Sequence, residues 1–209
     1  TTRNHYMCTE CHNSVLKTLE EISNFKCLLC PKTIRLEVLT GTALKKTGYY
    51  FSCQYSTEQC KYKRRLRWDF AIYTCMFCLP CALLEALEES HKYEQLRCII
   101  NNTLKLNYAM SIKIPIYYIN QPFCMDTDPQ HSLKKIEDEL EEHITSIKKL
   151  KCLNPLAKDL ELGYIYRNSP YFSYLDILDE AIELQKKYGI GKVPKELVNN
   201  LIEKNATIS

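Results

Sequence analysis

Closely spaced cysteine pairs dominate the first part of the chain and constrain its fold more than any other feature. The sequence holds 12 Cys in 209 residues, and eight of them form four pairs. The pairs are Cys8 with Cys11, Cys27 with Cys30, Cys53 with Cys60, and Cys75 with Cys78. Cysteines two residues apart can direct both thiolates at one point, as tetrahedral zinc requires. The pattern therefore predicts two structural zinc ions.

The spacing leaves the arrangement of these ligands open. In a sequential arrangement the first two pairs share one metal, whereas in a cross-braced arrangement alternate pairs share it. Cys81 is a further candidate ligand, because Cys78-Leu-Pro-Cys81 has the same two-residue spacing and suits the last ligand pair of a treble-clef finger. Disulfides or redox thiols are the alternative uses of such pairs. The more isolated Cys98, Cys124 and Cys152 are predicted to be unliganded thiols, with Cys98 buried.

The cysteine spacings of residues 8–78 resemble the tandem four-cysteine fingers of nuclear-receptor DNA-binding domains, and the first finger alone is similar to a GATA-type finger. The basic recognition helix of the resembled fingers is missing, because Cys30 is followed by Pro31 and a strand-like segment. No DNA-reading residue is therefore carried over from this resemblance.

A dense basic strip follows Cys60 inside the second predicted finger. The segment Lys-Tyr-Lys-Arg-Arg-Leu-Arg-Trp places five cations in seven positions, next to the only Trp of the chain. Cations contact phosphates and an aromatic ring stacks on a base, so the strip predicts a nucleic-acid contact. The residues concerned are Lys61, Lys63, Arg64, Arg65, Arg67 and Trp68. The alternatives are a nuclear-import or protein-docking signal and a plain solvated hairpin.

Hydrophobic periodicity divides the chain into two unlike parts. Strands are predicted over residues 33–39, 48–53, 66–75 and 106–114, a turn over 41–48, and helices beginning at Pro80, Ser132, Ser173 and Pro194. The predicted fold class is α+β. Residues 1–100 are expected to form a Cys-rich, two-zinc module of the treble-clef or zinc-finger type that ends in a helix. Residues 101–209 are expected to form a mostly helical domain with one strand.

Charge and motifs narrow the expected function. Residues 1–81 carry 12 Lys/Arg and 6 Asp/Glu, and the remainder carries 16 and 19, so the basic excess is local. No run approaches the roughly 18 apolar residues of a membrane span, and the first residues lack a signal-peptide core, so a nuclear or cytoplasmic, non-secreted protein is expected. The zinc-deaminase motif is absent and no nucleophile–base pair is evident, so a non-enzyme is expected.

The function predicted from the sequence is that of a zinc-stabilised, nucleic-acid-binding regulatory protein of the transcription or replication type. Its helical C-terminal part would bind a protein partner. The alternative is a protein-interaction adaptor, of viral origin for example, whose zinc sites serve only folding.

Overall fold

The fold is a mixed α+β arrangement built around one four-stranded sheet. The computed structural model describes residues 5–7, 14–16, 36–75, 78–87, 95–120, 129–189 and 192–208. The strands are β1 (His5–Met7), β2 (Ser14–Leu16), β3 (Tyr50–Lys61), β4 (Arg65–Tyr73), β5 (Ala82–Leu87) and β6 (Ile116–Asn120). The α-helices are α1 (Leu36–Lys46), α2 (Gln95–Ser111), α3 (Pro129–Cys152), α4 (Pro155–Arg167), α5 (Leu178–Tyr188) and α6 (Lys195–Ile208). A 3-10 turn covers Ser173–Leu175. The α+β class is thereby confirmed.

The strand order of the main sheet is β3-β4-β5-β6. The first three strands pair antiparallel, whereas β6 pairs parallel with β5 after the chain has passed through α2. Strands β1 and β2 form a separate antiparallel pair. The main sheet thus joins strands from both sides of residue 100, and α2 runs across that position.

Helices cover both faces of the main sheet. On one face, α1 and α3 pack against β4, β5 and β6 around Leu39, Phe70 and Leu140. On the other face, α2 and α4 pack around Trp68 and Leu106. Helices α5 and α6 pack on the far side of α2 in a third apolar cluster. The sheet with its two helical layers therefore provides a rigid frame between β4, β5 and α2.

The predicted strand over residues 33–39 is wrong from Leu36 onward, and the predicted turn over 41–48 is wrong as far as Lys46, because α1 occupies these positions. Residues 47–48 do form a turn, and residues 33–35 lie outside the described residues. The Thr40 hydroxyl donates to the Leu36 carbonyl at 2.9 Å, which satisfies a polar side chain inside the packed helix. Gly41 lies against the Phe70 ring, and a Cβ added there would stand 3.3 Å from it. Glycine in mid-helix here reflects this close approach to the sheet.

The strand predicted over residues 106–114 is also wrong, because α2 extends to Ser111 and the strand begins only after Pro115. Leu106 and Ala109 are fully buried and three positions apart, which is a helical spacing. The apolar residues that alternate over this segment also include a set at helical spacing. Packing of that set against the sheet favours the helix over the strand.

The helix predicted from Pro80 is wrong over β5, every residue of which is buried except the last, whereas Leu96 and Ile100 of the predicted helix do lie in α2. A short apolar run buried on both faces carries no period that distinguishes a strand from a helix. The strands predicted near 48–53 and 66–75 and the later helices are confirmed as β3, β4, α3, α5 and α6. Helix α4 was not predicted. No helix in the described parts of the chain is long and apolar enough to cross a membrane.

Candidate functional site

A cavity of about 600 Å³ opens between the β3–β4 hairpin, the end of β5 and one face of α2. Its lining includes five cations and two carboxylates: Arg64, Arg65, Arg67, Arg97, Lys105, Asp69 and Glu85. We call this cavity the basic cleft.

The cleft opens where β4 and β5 stop pairing. Their ladder ends at the pair Phe70 and Leu84. At the next position the Asp69 Oδ2 accepts a hydrogen bond from the Ala86 backbone N–H at 2.8 Å. The Asp69 carboxylate thus accepts the hydrogen bond that a backbone carbonyl of β4 would accept in a regular ladder. Gln54, which the register places opposite Asp69 on β3, has a φ of 52°, so the sheet is irregular on both sides of this point.

Asp69 and Glu85 both line the cleft, from neighbouring strands. The register that pairs Phe70 with Leu84 places them opposite each other on neighbouring strands. Like charges in this relation are destabilising, and Glu85 is only 5 % exposed. Burial, with a smaller contribution from Asp69, raises the pKa of Glu85 to about 8, although Lys105 opposes the shift. The sheet thus holds the Glu85 carboxyl group where its ionisation is costly, with a second carboxylate nearby.

Lys105 supplies the positive charge at this point. Its Nζ lies 2.8 Å from the Glu85 Oε1, and both side chains are largely buried. Arg97, Asn101 and Lys105 are four residues apart on α2, so they lie along one face of the helix and line the cleft. Another face of α2 packs on α5 and α6 through residues such as Ile100. The C-terminal helices therefore brace the wall of the cleft.

The predicted basic strip forms the tip of the β3–β4 hairpin and the start of β4. Its cations Lys61, Lys63, Arg64, Arg65 and Arg67 are all exposed. The three arginines line the cleft, whereas the two lysines are not part of its lining. Arg65 also forms an ion pair with Glu58 across the hairpin. The strip thus contributes one wall of the cleft rather than a separate site.

Trp68 is fully buried, which corrects its predicted role in base stacking. Its ring lies between those of Tyr55 and Tyr108, with centroid distances of 5.9 and 5.6 Å. Side chains alternate across a strand, so Arg65 and Arg67 face solvent while Leu66 and Trp68 pack into the core. The ring stabilises the hairpin that carries the arginines.

The cysteines of the second predicted zinc site are not brought together. Cys53 and Cys60 are seven residues apart on β3, which corresponds to roughly 20 Å along a strand. Cys60 is buried, which raises its thiol pKa to about 11 and disfavours the thiolate that zinc needs. Cys75 and Cys78 are joined as a disulfide after β4. The prediction assumed a loop folded around a metal, whereas residues 50–73 form an extended hairpin.

Some of the remaining cysteines lie within the described residues and others do not. Cys8, Cys11, Cys27, Cys30 and Cys124 lie outside the described residues, so zinc at the first four stays a prediction. Cys81 is half-buried just before β5, Cys98 is half-buried in the wall of the cleft, and Cys152 is exposed. Across the described ranges, no group of three or more His, Cys, Asp or Glu is arranged to hold a metal ion.

Sequence reasoning missed Asp69, Glu85, Arg97 and Lys105 as site residues. A signal was present, since each carboxylate is the one charged residue within an otherwise apolar stretch: Trp-Asp-Phe-Ala-Ile and Ala-Leu-Leu-Glu-Ala-Leu. Charged residues are almost never buried without a partner or a function. The signal was lost because the second stretch was predicted to be a helix, which hid the cross-strand relation.

No known family model matches this chain, and no curated protein or solved structure matches it.

Proposed function

We propose that the protein binds nucleic acid in the basic cleft and hydrolyses its phosphodiester bonds with a divalent metal ion held by Asp69 and Glu85. The observation that carries this proposal is the pair of opposed carboxylates beside Lys105, below a rim of arginines. This departs from the non-enzyme expected from the sequence, because that expectation rested on motifs and not on residues that packing brings together.

A divalent cation would offset the repulsion between the two carboxylates. Mg²⁺ is commonly bound by one or two carboxylates together with substrate phosphates, so a set of two protein ligands is sufficient. When bound, such an ion supplies Lewis acidity toward a phosphoryl oxygen. Asp69 and Glu85 would hold it, and the ion pair between Glu85 and Lys105 would loosen as the new positive charge arrives.

The remaining residues have separate tasks in this proposal. The Lys105 ammonium donates hydrogen bonds to the phosphate and stabilises the negative charge that grows during attack. Arg64, Arg67 and Arg97 position neighbouring phosphates, and arginine suits them because its planar group can bind two oxygens at once. In the reaction, a water oxygen bonds to phosphorus and loses a proton to solvent, the bond between phosphorus and the leaving sugar oxygen breaks, and the sugar oxygen takes up a proton from solvent.

A cleavage assay tests the proposal. The purified chain is incubated with end-labelled DNA and RNA, single- and double-stranded, with Mg²⁺ or Mn²⁺ and with EDTA. We expect metal-dependent cleavage of at least one substrate, abolished by Asp69→Asn and by Glu85→Gln. Lys105→Met should slow cleavage on the order of 100-fold, as loss of one electrostatic stabiliser does. Asn at position 69 can still accept from Ala86, so the sheet is preserved.

The matched control is Asp138→Asn, which makes the same chemical change on the exposed surface of α3. This variant should cut like wild type. Cleavage that survives in the folded Glu85→Gln chain would refute the catalytic assignment. Binding without cleavage under any metal would favour the second candidate, a nucleic-acid-binding regulatory protein, which the exposed arginines of the strip support.

A further inference from the structure

Helix α4 exposes a continuous apolar stripe away from the basic cleft. Leu156, Leu160 and Tyr164 are 74 %, 67 % and 60 % exposed. They are four residues apart and therefore follow one side of the helix over about 12 Å. Scattered apolar residues are normal on a surface, but three aligned large ones mark an interaction site.

The opposite side of α4 is also apolar, since Leu162 and Tyr166 are buried against α2 and β6. The Tyr166 hydroxyl donates to the Ile114 carbonyl at 3.1 Å, which fixes the helix in this orientation. Helix α4 is therefore apolar on two sides, and one of them is exposed. The stripe is thus an exposed apolar face suited to binding a partner, and the contacts on the other side of α4 prevent the helix from turning this face inward.

An acidic groove of about 520 Å³ borders the stripe between α3 and α4. Its charged lining residues are Asp138, Glu141, Glu142, Glu161 and Lys149. Lys149 is engaged by Glu161 at 2.9 Å. Glu161 follows Leu160 in the chain and lies one turn before Tyr164, so the acidic groove and the stripe form one continuous surface. Its charge is negative along one side of an apolar ridge.

We propose that this surface binds a basic amphipathic helix of a partner protein. An apolar face of that helix would cover Leu156, Leu160 and Tyr164, and its Lys or Arg side chains would lie along the acidic groove. Charge complementarity favours a basic helix over the other possible partners of this surface. A second copy docked through the same face would bring two acidic grooves together, and an anionic membrane surface would be repelled.

Fluorescence anisotropy with a designed peptide tests this. The probe is a labelled 18-residue helix with Leu along one face and Lys on the other, titrated with the full chain. We expect saturable binding that weakens about tenfold in Leu160→Ser, because the complex then buries one leucine side chain fewer. Glu141→Gln combined with Glu142→Gln should also weaken binding and reduce its salt dependence.

Matched controls make the same changes elsewhere. Leu79→Ser removes another strongly exposed leucine far from α4 in the chain, and Asp176→Asn with Asp179→Asn removes two exposed charges outside the acidic groove. Both controls should bind like wild type, and a peptide with Glu replacing Lys should not bind. Equal affinity of wild type and Leu160→Ser, with unchanged thermal unfolding, would overturn the proposal. A dimer in sedimentation that Leu160→Ser dissociates would overturn it in favour of a second copy.

Discussion

Glu85 forms an ion pair with Lys105 and is almost fully buried at the edge of the basic cleft. The Lys105 ion pair offsets part of the cost of its charge, but the net effect of burial and of Asp69 is still a raised pKa. A carboxyl group whose charged form is disfavoured in the folded state makes stability depend on pH. Perturbed groups of this kind concentrate at functional sites, which agrees with the role proposed for the pair.

Stability should therefore fall as pH rises in the absence of divalent metal. The folded-state pKa of Glu85 is raised from 4.5 to about 8, so its stabilising contribution is complete below pH 4.5 and is lost as pH rises to 8. Glu85→Gln should flatten the curve of unfolding free energy between pH 5 and 8, measured by urea denaturation in EDTA. Asp138→Asn should keep the wild-type slope. Parallel curves for wild type and Glu85→Gln would refute the shift.

At the scale of elements, the cleft is formed by a hairpin and a helix that are each fixed by apolar packing. Trp68 anchors the β3–β4 hairpin, and the face of α2 that carries Ile100 is covered by the C-terminal helices. Charged side chains on fixed elements lose less entropy on binding than those on a flexible tail. The element geometry also separates the strip into cations that line the cleft and cations that do not.

This separation predicts unequal effects along the strip. Replacing Arg64, Arg65 and Arg67 with Ala should weaken nucleic-acid binding and lower the salt slope by about one unit for each phosphate that the protein no longer neutralises. Replacing Lys61 and Lys63 with Ala should have a smaller effect, since these lysines lie outside the lining. Filter binding at several salt concentrations measures both. Equal reductions in affinity for the two variants would show that the whole hairpin tip, and not the cleft, binds the nucleic acid.

At the scale of the molecule, strand pairing and loss of pairing together create the site. The sheet aligns β4 with β5, and the loss of pairing beyond Phe70 and Leu84, at Asp69 and Glu85, opens the space that α2 then lines. The apolar stripe and the acidic groove involve α3 and α4, whose residues do not line the cleft. The chain thus presents two chemically distinct surfaces, one cationic and one acidic with an apolar ridge.

Sequence patterns predicted the α+β class, strands near the start of β3 and over β4, and most C-terminal helices, because these have clear periods or clear turn and cap residues. They failed at β5, where burial on both faces removes a distinctive period, and at α2, where the apolar alternation also contains residues at helical spacing. The basic strip was recognisable because its charges are contiguous. Asp69, Glu85 and Lys105 were not, because only the register of two strands and the packing of a helix bring them together.

The most direct test of the central claim is a count of bound Mn²⁺ by electron paramagnetic resonance, which detects the free ion. The full wild-type chain is first stripped of metal and then titrated with Mn²⁺. The Glu85→Gln and Asp138→Asn variants are titrated in the same way. We predict that wild type and Asp138→Asn each bind one Mn²⁺ ion, that Glu85→Gln binds this ion more weakly, and that Mg²⁺ displaces the bound Mn²⁺. Identical titrations of wild type and folded Glu85→Gln would contradict a metal site at Asp69 and Glu85.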